Sequence, residues 1–312
     1  MSALRAAVVG CGHFGRHHAV KYAARPDARL VAVVDRDPDA AQSLAGRFGV
    51  EALSHVEGLI GRVDVASVAV PTSEHFSVAS RLLEGGVDVL VEKPIAATLD
   101  EADALIALAA RRGRVLQVGH LERFNAAVLA LDDVVDRPLF IESHRVAPFS
   151  QRGTDVDVVL DLMIHDIDLI QLLVGTPLVA VDAVGVPVLS ARDDIVNARL
   201  QFDGCVVNVT ASRVSFKSER RMRLFQRDAY ISIDFSAGSA VIARKDPNAS
   251  SGPIPGIALE RRSIGANDAL MLQIEAFLAA VRRERPVAVS GEDGRRALDT
   301  ALRITRALRR PG

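Results

Sequence analysis

Three groups of residues have the types and spacing to do chemistry. Gly10-Cys11-Gly12-His13-Phe14-Gly15 is a G-x-G-x-x-G that follows a Val-rich run and opens a segment of helical spacing. In that setting the glycines permit a tight turn, close approach of backbone to a pyrophosphate, and close packing of helix on strand. The free N–H groups and positive dipole end of the helix then favour phosphate. Asp35 follows Gly15 by twenty residues, at the end of the next apolar run, where a carboxylate accepts hydrogen bonds from a ribose diol. The same carboxylate repels the extra phosphate of NADP and so favours NAD. Arg36 beside it is suited to stack on adenine or to tolerate that phosphate, which leaves NADP open as a second cofactor.

The second group is Glu92-Lys93-Pro94, after the fourth apolar run and on the carboxyl edge where ligands bind in such sheets. Lysine is scarce here: Lys21, Lys93, Lys217 and Lys245 stand against 34 arginines. It is also the cation whose pKa burial can bring towards neutrality, as proton transfer requires. On position alone a solvated loop lysine is an equal reading. The third group lies on the apolar segment Val156 to Val174, where Asp157, Asp161, His165 and Asp168 fall at i, i+4, i+8 and i+11, one narrow face of a helix. Three carboxylates and an imidazole on a helix buried nearly all round are costly unless they face a polar cavity between domains. Aspartate beside histidine holds the ring and raises its basicity. Satisfied structural polar groups are one alternative, and a metal on His165 and Asp161 another. No further His or Cys lies near enough in sequence to complete such a site, so no metal is expected.

Weaker signals flank these. Pro71-Thr72-Ser73-Glu74-His75 ends the third apolar run and is placed to touch nicotinamide or ribose. His120, Glu122, Arg123 and Asn125 follow the fifth run. Arg145 and Arg213 lie on strand-like segments and are candidates for substrate phosphates, with plain solvation as the alternative. The candidate cofactor contacts are thus Gly10, Gly12, His13, Phe14, Gly15, Asp35, Arg36, Pro71, Thr72, His75, Glu92, Lys93 and Arg123. The catalytic candidates are Lys93, Asp161 and His165.

The elements that must position these residues change character along the chain. Val-rich runs at Ala6–Val9, Leu30–Val34, Val65–Val70, Val87–Val91 and Val115–Val118 alternate with helical segments such as Phe14–Ala24, His75–Leu83 and Leu99–Ala110. That predicts a doubly wound parallel sheet, a Rossmann domain, over residues 1–119. Residues 120–312 predict an α+β domain. The helix ending at Gly175 precedes most of a mainly antiparallel sheet, with strands at Leu139–Val146, Leu178–Pro187, Val196–Phe202, Val206–Val214, Arg221–Gln226, Ala229–Phe235 and Ala240–Arg244. Residues 246–256 read as a loop, and helices around Ala269–Arg283 and Glu292–Arg309 close the chain.

Composition narrows the function class. The chain has 312 residues, about half apolar and a quarter charged, with 38 Lys plus Arg against 39 Asp plus Glu. A net charge of −1 argues against nucleic acid or a polybasic membrane partner. Cys11 and Cys205 are too few and too far apart for a disulfide framework. With no signal peptide and no long apolar run, a cytoplasmic protein is expected.

Gly10, Gly12 and Gly15, Glu92-Lys93-Pro94 and Asp161-x-x-x-His165, in that order, resemble the glucose-fructose oxidoreductase / inositol dehydrogenase / MocA family over the whole chain. The resemblance implies that Lys93, Asp161 and His165 form the catalytic set and that the second domain is an open sheet building homodimers or homotetramers. Gly119–Asn125, Asp155–Ile170 and Ala211–Asp234 are similar to one subgroup, which oxidises the 3-hydroxyl of UDP-N-acetylglucosamine to a ketone. There a partner aminotransferase completes a diamino sugar of lipid A. Val158 and Val159 stand where many family members carry glycines, a departure that sets the subgroup apart. A dehydrogenase of another sugar, inositol or nucleotide sugar, and a non-catalytic NAD-sensing regulator, are the alternatives.

Overall fold

Apolar runs without alternation must be covered on both faces, and that demand builds the first sheet. Its strands are β1 (Leu4–Val9), β2 (Ala28–Val34), β3 (Glu51–Leu53), β4 (Val65–Val68), β5 (Asp88–Glu92) and β6 (Leu116–Gly119). They lie in the order β3-β2-β1-β4-β5-β6 with every neighbouring pair parallel. Helices α1 (His13–Ala23), α2 (Pro38–Phe48), α3 (Thr72–Glu84) and α4 (Leu99–Arg112) make the crossovers. Their ends carry local stop signals: Thr98 and Glu101 form a capping box at the start of α4, and Gly113 ends it in the left-handed conformation. Strand order reverses between β1 and β4, which opens a crevice at the carboxyl ends of those strands. The computed structural model describes residues 2–131, 133–149, 157–249, 254–265 and 267–309.

The second sheet has nine strands. They are β7 (Phe140–Val146), β8 (Leu178–Val186), β9 (Ile195–Phe202), β10 (Cys205–Ser212), β11 (Glu219–Gln226), β12 (Ala229–Asp234), β13 (Ser239–Lys245), β14 (Ile257–Ser263) and β15 (Leu308–Arg309). The order is β14-β13-β12-β11-β7-β10-β9-β8-β15. Among the described residues of this sheet, only β7 with β10 and β8 with β15 pair in parallel. Alternation is strict on β9, where Val196, Ala198, Leu200 and Phe202 are buried and Asn197, Arg199 and Gln201 face out. A short helix, α5 (Ala126–Leu129), precedes the sheet, and α6 (Ile164–Val174) ends at Gly175 in the left-handed conformation.

Three strands escape the sequence pattern. β3 has three residues, β14 is an edge strand carrying Glu260, Arg261 and Arg262, and β15 occupies two residues of the segment read as helix to Arg309. The start of the predicted helix at Val156, and residues 250–253 of the expected loop, lie outside the described residues.

The chain divides into two compact units, Met1–Leu121 with Leu270–Leu298 and Glu122–Ala269 with Asp299–Gly312. This differs from a single cut after residue 119. Helix α7 (Ala269–Val281) puts Ile274, Phe277 and Leu278 into the core formed by Val8, Val33, Leu90, Ala19 and Tyr22 of the first unit. The first turns of α8 (Gly291–Ala307) also fall in that unit. Nothing in an amphipathic helix near the chain end announces which sheet it will cover.

Candidate active site

The crevice at the strand-order reversal is a cleft of about 480 Å³. Of the expected cofactor contacts, Gly10, Gly12, Asp35, Arg36 and Pro71 line it. Gly10 has φ +97°, and a Cβ there would stand 2.5 Å from the Ala69 carbonyl oxygen. A Cβ on Gly15 would stand 1.7 Å from the Gly10 carbonyl oxygen, so this glycine lets α1 dock on the loop. Gly12 differs: nothing lies within 4 Å of its Cβ position, which leaves open space in front of the helix. It is the N-cap of α1 with no side-chain cap and no acidic residue in the first turn. The helix therefore offers unfilled N–H donors and its positive end to an anion.

Asp35 is aimed by backbone donors. The Cys11 N–H donates to its Oδ2 at 2.6 Å and the Asp37 N–H to its Oδ1 at 2.9 Å. Each oxygen keeps acceptor capacity for a ribose hydroxyl. Arg36 is exposed and ion-paired with Glu74, so its charge is already directed to a carboxylate. These residues fit NAD: a clear approach for a pyrophosphate, a helix end to receive it and a carboxylate for the diol. Burial pushes the Cys11 thiol up to about 12, which makes it a packing group within the loop. The cleft also takes residues that sequence reasoning missed, among them Ser54, His55 and Glu57. They follow the three-residue β3, which carries too little periodicity to be seen.

Several expected contacts are placed elsewhere. His13 and Phe14 are exposed on the first turn of α1, their rings edge to face at 5.5 Å. Thr72 begins α3 and is half-buried. His75 is 1% exposed, with Nδ1 2.8 Å from the Pro94 carbonyl oxygen and Nε2 3.0 Å from that of Val70. Burial pushes its pKa down. It joins the end of the third core run to the segment after Lys93 rather than lining the cleft. Glu92 turns into the sheet's interior and accepts from His18 Nε2–H at 2.9 Å. Burial opposes its charge, but the His18 bond with the nearby cations outweighs it and holds the carboxyl below its usual range. Lys93 follows β5 and is half-buried.

In the second unit the stripe of four polar residues is divided. A turn of π-helix, Val159–Met163, precedes α6, and its extra residue shifts the register that an unbroken α-helix would keep. Asp157 lies before the helix and caps it, accepting from the N–H groups of Val159 and Leu160 at 3.0 Å each. Asp168 is 1% exposed and takes a two-pronged bond from Arg123, Nε to Oδ2 at 2.8 Å and Nη2 to Oδ1 at 2.6 Å. Arg123 is thus bound inside this unit and does not line the nucleotide cleft. Asp161 and His165 remain half-buried on the π turn and the first turn of α6. π turns recur at functional sites.

Asp166, which sequence reasoning did not single out, is 2% exposed and holds Arg145 through Nε at 2.7 Å and Nη2 at 3.2 Å. Glu122 adds a third bond to Arg145 Nη1 at 3.0 Å. Arg213 donates from Nε to Asp194 at 2.8 Å. Arg145 on β7 and Arg213 just past the end of β10, each 4% exposed, are therefore neither solvated nor offered to a substrate phosphate. Among the described residues no group of three His, Cys, Asp or Glu could hold a metal ion. No described helix is long and apolar enough to cross a membrane.

Comparison with known proteins agrees with this fold. Residues 4–120 match the model of an oxidoreductase family with an NAD-binding Rossmann fold, and residues 137–240 match the GFO/IDH/MocA C-terminal domain. The chain is 40% identical over 303 residues to UDP-N-acetylglucosamine 3-dehydrogenase of Acidithiobacillus ferrooxidans, covering 96% of each chain. It is 26% identical over 325 residues to inositol 2-dehydrogenase of Rhizobium meliloti, again covering 96% of each. A solved structure of the Acidithiobacillus enzyme superposes with a TM-score of 0.94, covering 99% of this chain and 98% of that one. The chain belongs to the GFO/IDH/MocA family of oxidoreductases and carries that family's NAD-binding Rossmann domain.

Proposed function

We propose that the protein oxidises the 3-hydroxyl of UDP-N-acetylglucosamine to a ketone. The observation that carries this is 40% identity, along 96% of both chains, to a relative with that activity. Bound NAD supplies the acceptor for the hydride that leaves the sugar carbon. The protein's part is the proton and the charge. His165 takes the hydroxyl proton on an imidazole nitrogen, which leaves the C–H electron pair free to depart as hydride while the C=O bond forms. The Lys93 ammonium hydrogen-bonds the same oxygen and stabilises its developing negative charge. Asp161 orients the substrate and keeps the imidazole basic. Gly12 and the start of α1 receive the pyrophosphate, Asp35 the ribose diol.

The finer biology belongs to the same reading. The product ketone feeds an aminotransferase that installs a 3-amino group for a diamino sugar of lipid A, in the cytoplasm where sugar nucleotides and NAD are held. The chain works as a homodimer or homotetramer through the outward face of the nine-stranded sheet. Supporting that face is an aromatic row across three strands: Phe140 and Phe225 have ring centroids 5.7 Å apart, and Phe225 and Tyr230 5.1 Å.

The test mixes purified protein, NAD and UDP-N-acetylglucosamine and follows the absorbance of reduced nicotinamide. An aminotransferase with glutamate is added in parallel to draw off the ketone. Reduced cofactor with the sugar nucleotide, and none with free N-acetylglucosamine, is the expected result. Silence in both arms from a protein that binds NAD overturns the substrate. A panel of inositols and other nucleotide sugars then separates another dehydrogenase from a regulator.

A further inference from the structure

Four polar side chains form a chain inside the first unit, beneath the segment that bears Lys93. His18 and Tyr22, one turn apart on α1, and Ser67 on β4 are each 0% exposed. Tyr22 Oη lies 2.9 Å from Ser67 Oγ, Ser67 Oγ 2.9 Å from His18 Nδ1, and His18 Nε2 2.9 Å from Glu92 Oε1. One proton assignment gives every donor an acceptor. Tyr22 donates to Ser67, Ser67 donates to Nδ1, and Nε2–H donates to the Glu92 carboxylate. Such a chain costs more to bury than apolar residues of the same shape, so filling the core does not account for it.

It ends at the last residue of β5. Successive strand residues point to opposite faces, so tethering Glu92 inward fixes the direction in which Lys93 leaves the strand. The slot is made to measure: a Cβ on Gly119 would lie 2.8 Å from Glu92 Oε1. We infer that His18, backed by Ser67 and Tyr22, is a positioning residue that holds Lys93 in place through Glu92. This deepens the reading of Lys93 as catalytic and rests on it.

The titratable groups that surround Glu92 are His18 from α1, His75 from α3 and Lys93 itself. Because the chain has only four lysines, competitive acylation of the cofactor-free protein, read peptide by peptide, reports the titration midpoint of Lys93 without turnover. Lys217 and Lys245, both exposed, serve as internal references. Glu92→Gln keeps the shape and removes the charge, so the Lys93 midpoint should fall by about one unit while the references stay. His18→Leu should lower kcat by roughly 10- to 100-fold with KM and the Kd for NAD unchanged. His18→Gln keeps an N–H near Nε2 and should restore most of that loss.

Normal kcat in a folded His18→Leu, or an unmoved Lys93 midpoint in Glu92→Gln, overturns the inference. Should His18→Leu fail to fold, the isosteric Glu92→Gln decides alone. Lys93→Met distinguishes the two levels. Near-normal turnover there sinks the catalytic reading of Lys93, whatever the labelling shows. Lost turnover there with an unaffected His18→Leu sinks only the tether.

Discussion

The glycine loop of the first unit and the polar helix of the second both looked like sites in the sequence, and they are built on opposite principles. In the loop, function follows from backbone. Gly10 and Gly15 exist to let chain segments approach, and Gly12 and Asp35 face the resulting space. All the parts lie within one strand–helix–strand unit, so local spacing is enough to read them. On the helix, function follows from side chains, and residues one turn apart have unrelated tasks. Asp166 and Asp168 neutralise Arg145 and Arg123, which come from elsewhere in the chain. Asp161 and His165 stay half-buried. Periodicity shows which residues share a face, and is blind to the partners that tertiary structure brings.

The sharpest way to break this contrast is to mutate carboxylates of the same helix. Asp166→Ala leaves the Arg145 guanidinium, 4% exposed, with Glu122 as its remaining carboxylate partner. Removing one partner of a buried pair should cost about 3–5 kcal/mol, read from the midpoint of urea unfolding. Asp161→Ala should change stability by less than about 1 kcal/mol while kcat falls roughly 100-fold. If both variants lose stability alike, Asp161 is another structural carboxylate and the division of labour is wrong.

The open and the packed glycine of the loop give the next test. Gly12→Ala meets no neighbour within 4 Å and keeps a φ of −70°, so the fold should be intact. The added methyl stands where a pyrophosphate must approach, and the Kd for NAD should rise about tenfold, equal to about 1.4 kcal/mol. Gly15→Ala, whose Cβ would sit 1.7 Å from the Gly10 carbonyl oxygen, should instead lower Tm and yield of folded protein. Isothermal titration with NAD and a thermal melt on each variant separate the two glycines.

Legibility follows the same line. The five longer parallel strands, the glycine turn and the position of Asp35 at the end of β2 are local patterns with a single physical solution, and the structure has them. The return of α7 to the first core, the π turn before α6 and the placement of Glu92 are decided by packing between distant segments. The residue type of Glu92 suggests a ligand contact, whereas its strand position, the missing Cβ of Gly119 and the bond to His18 turn it inward. His18 and Tyr22 lie at i and i+4 on α1, and sequence reasoning did not single them out; Ser67, far away in sequence, shows that they belong to a buried polar chain.

Two carboxylates held by backbone amides extend the contrast to its smallest effect. Asp35 accepts one backbone N–H on each oxygen and lines an open cleft. Asp194 is saturated: its Oδ2 accepts from the N–H groups of Val188, Leu189 and Ser190, and its Oδ1 from Ser190 Oγ and Arg213 Nε. Burial opposes the Asp194 charge, but the Ser190 hydroxyl, the Arg213 guanidinium and the amides outweigh it and hold the carboxyl well below the usual range. A carboxyl with a lowered folded pKa binds fewer protons folded than unfolded. Its contribution is therefore full above the unfolded value of about 3.9 and is lost as pH falls towards the folded one. Asp194→Asn keeps the shape and removes the titration. It should be less stable than the parent protein at pH 7, by about 1–2 kcal/mol, with the gap closing as pH falls through the ordinary Asp range. Urea unfolding at a series of pH values reads this directly. A gap that stays constant with pH would mean that Asp194 contributes through shape and neutral hydrogen bonds alone, and that its saturation differs from the open state of Asp35 in geometry but not in charge.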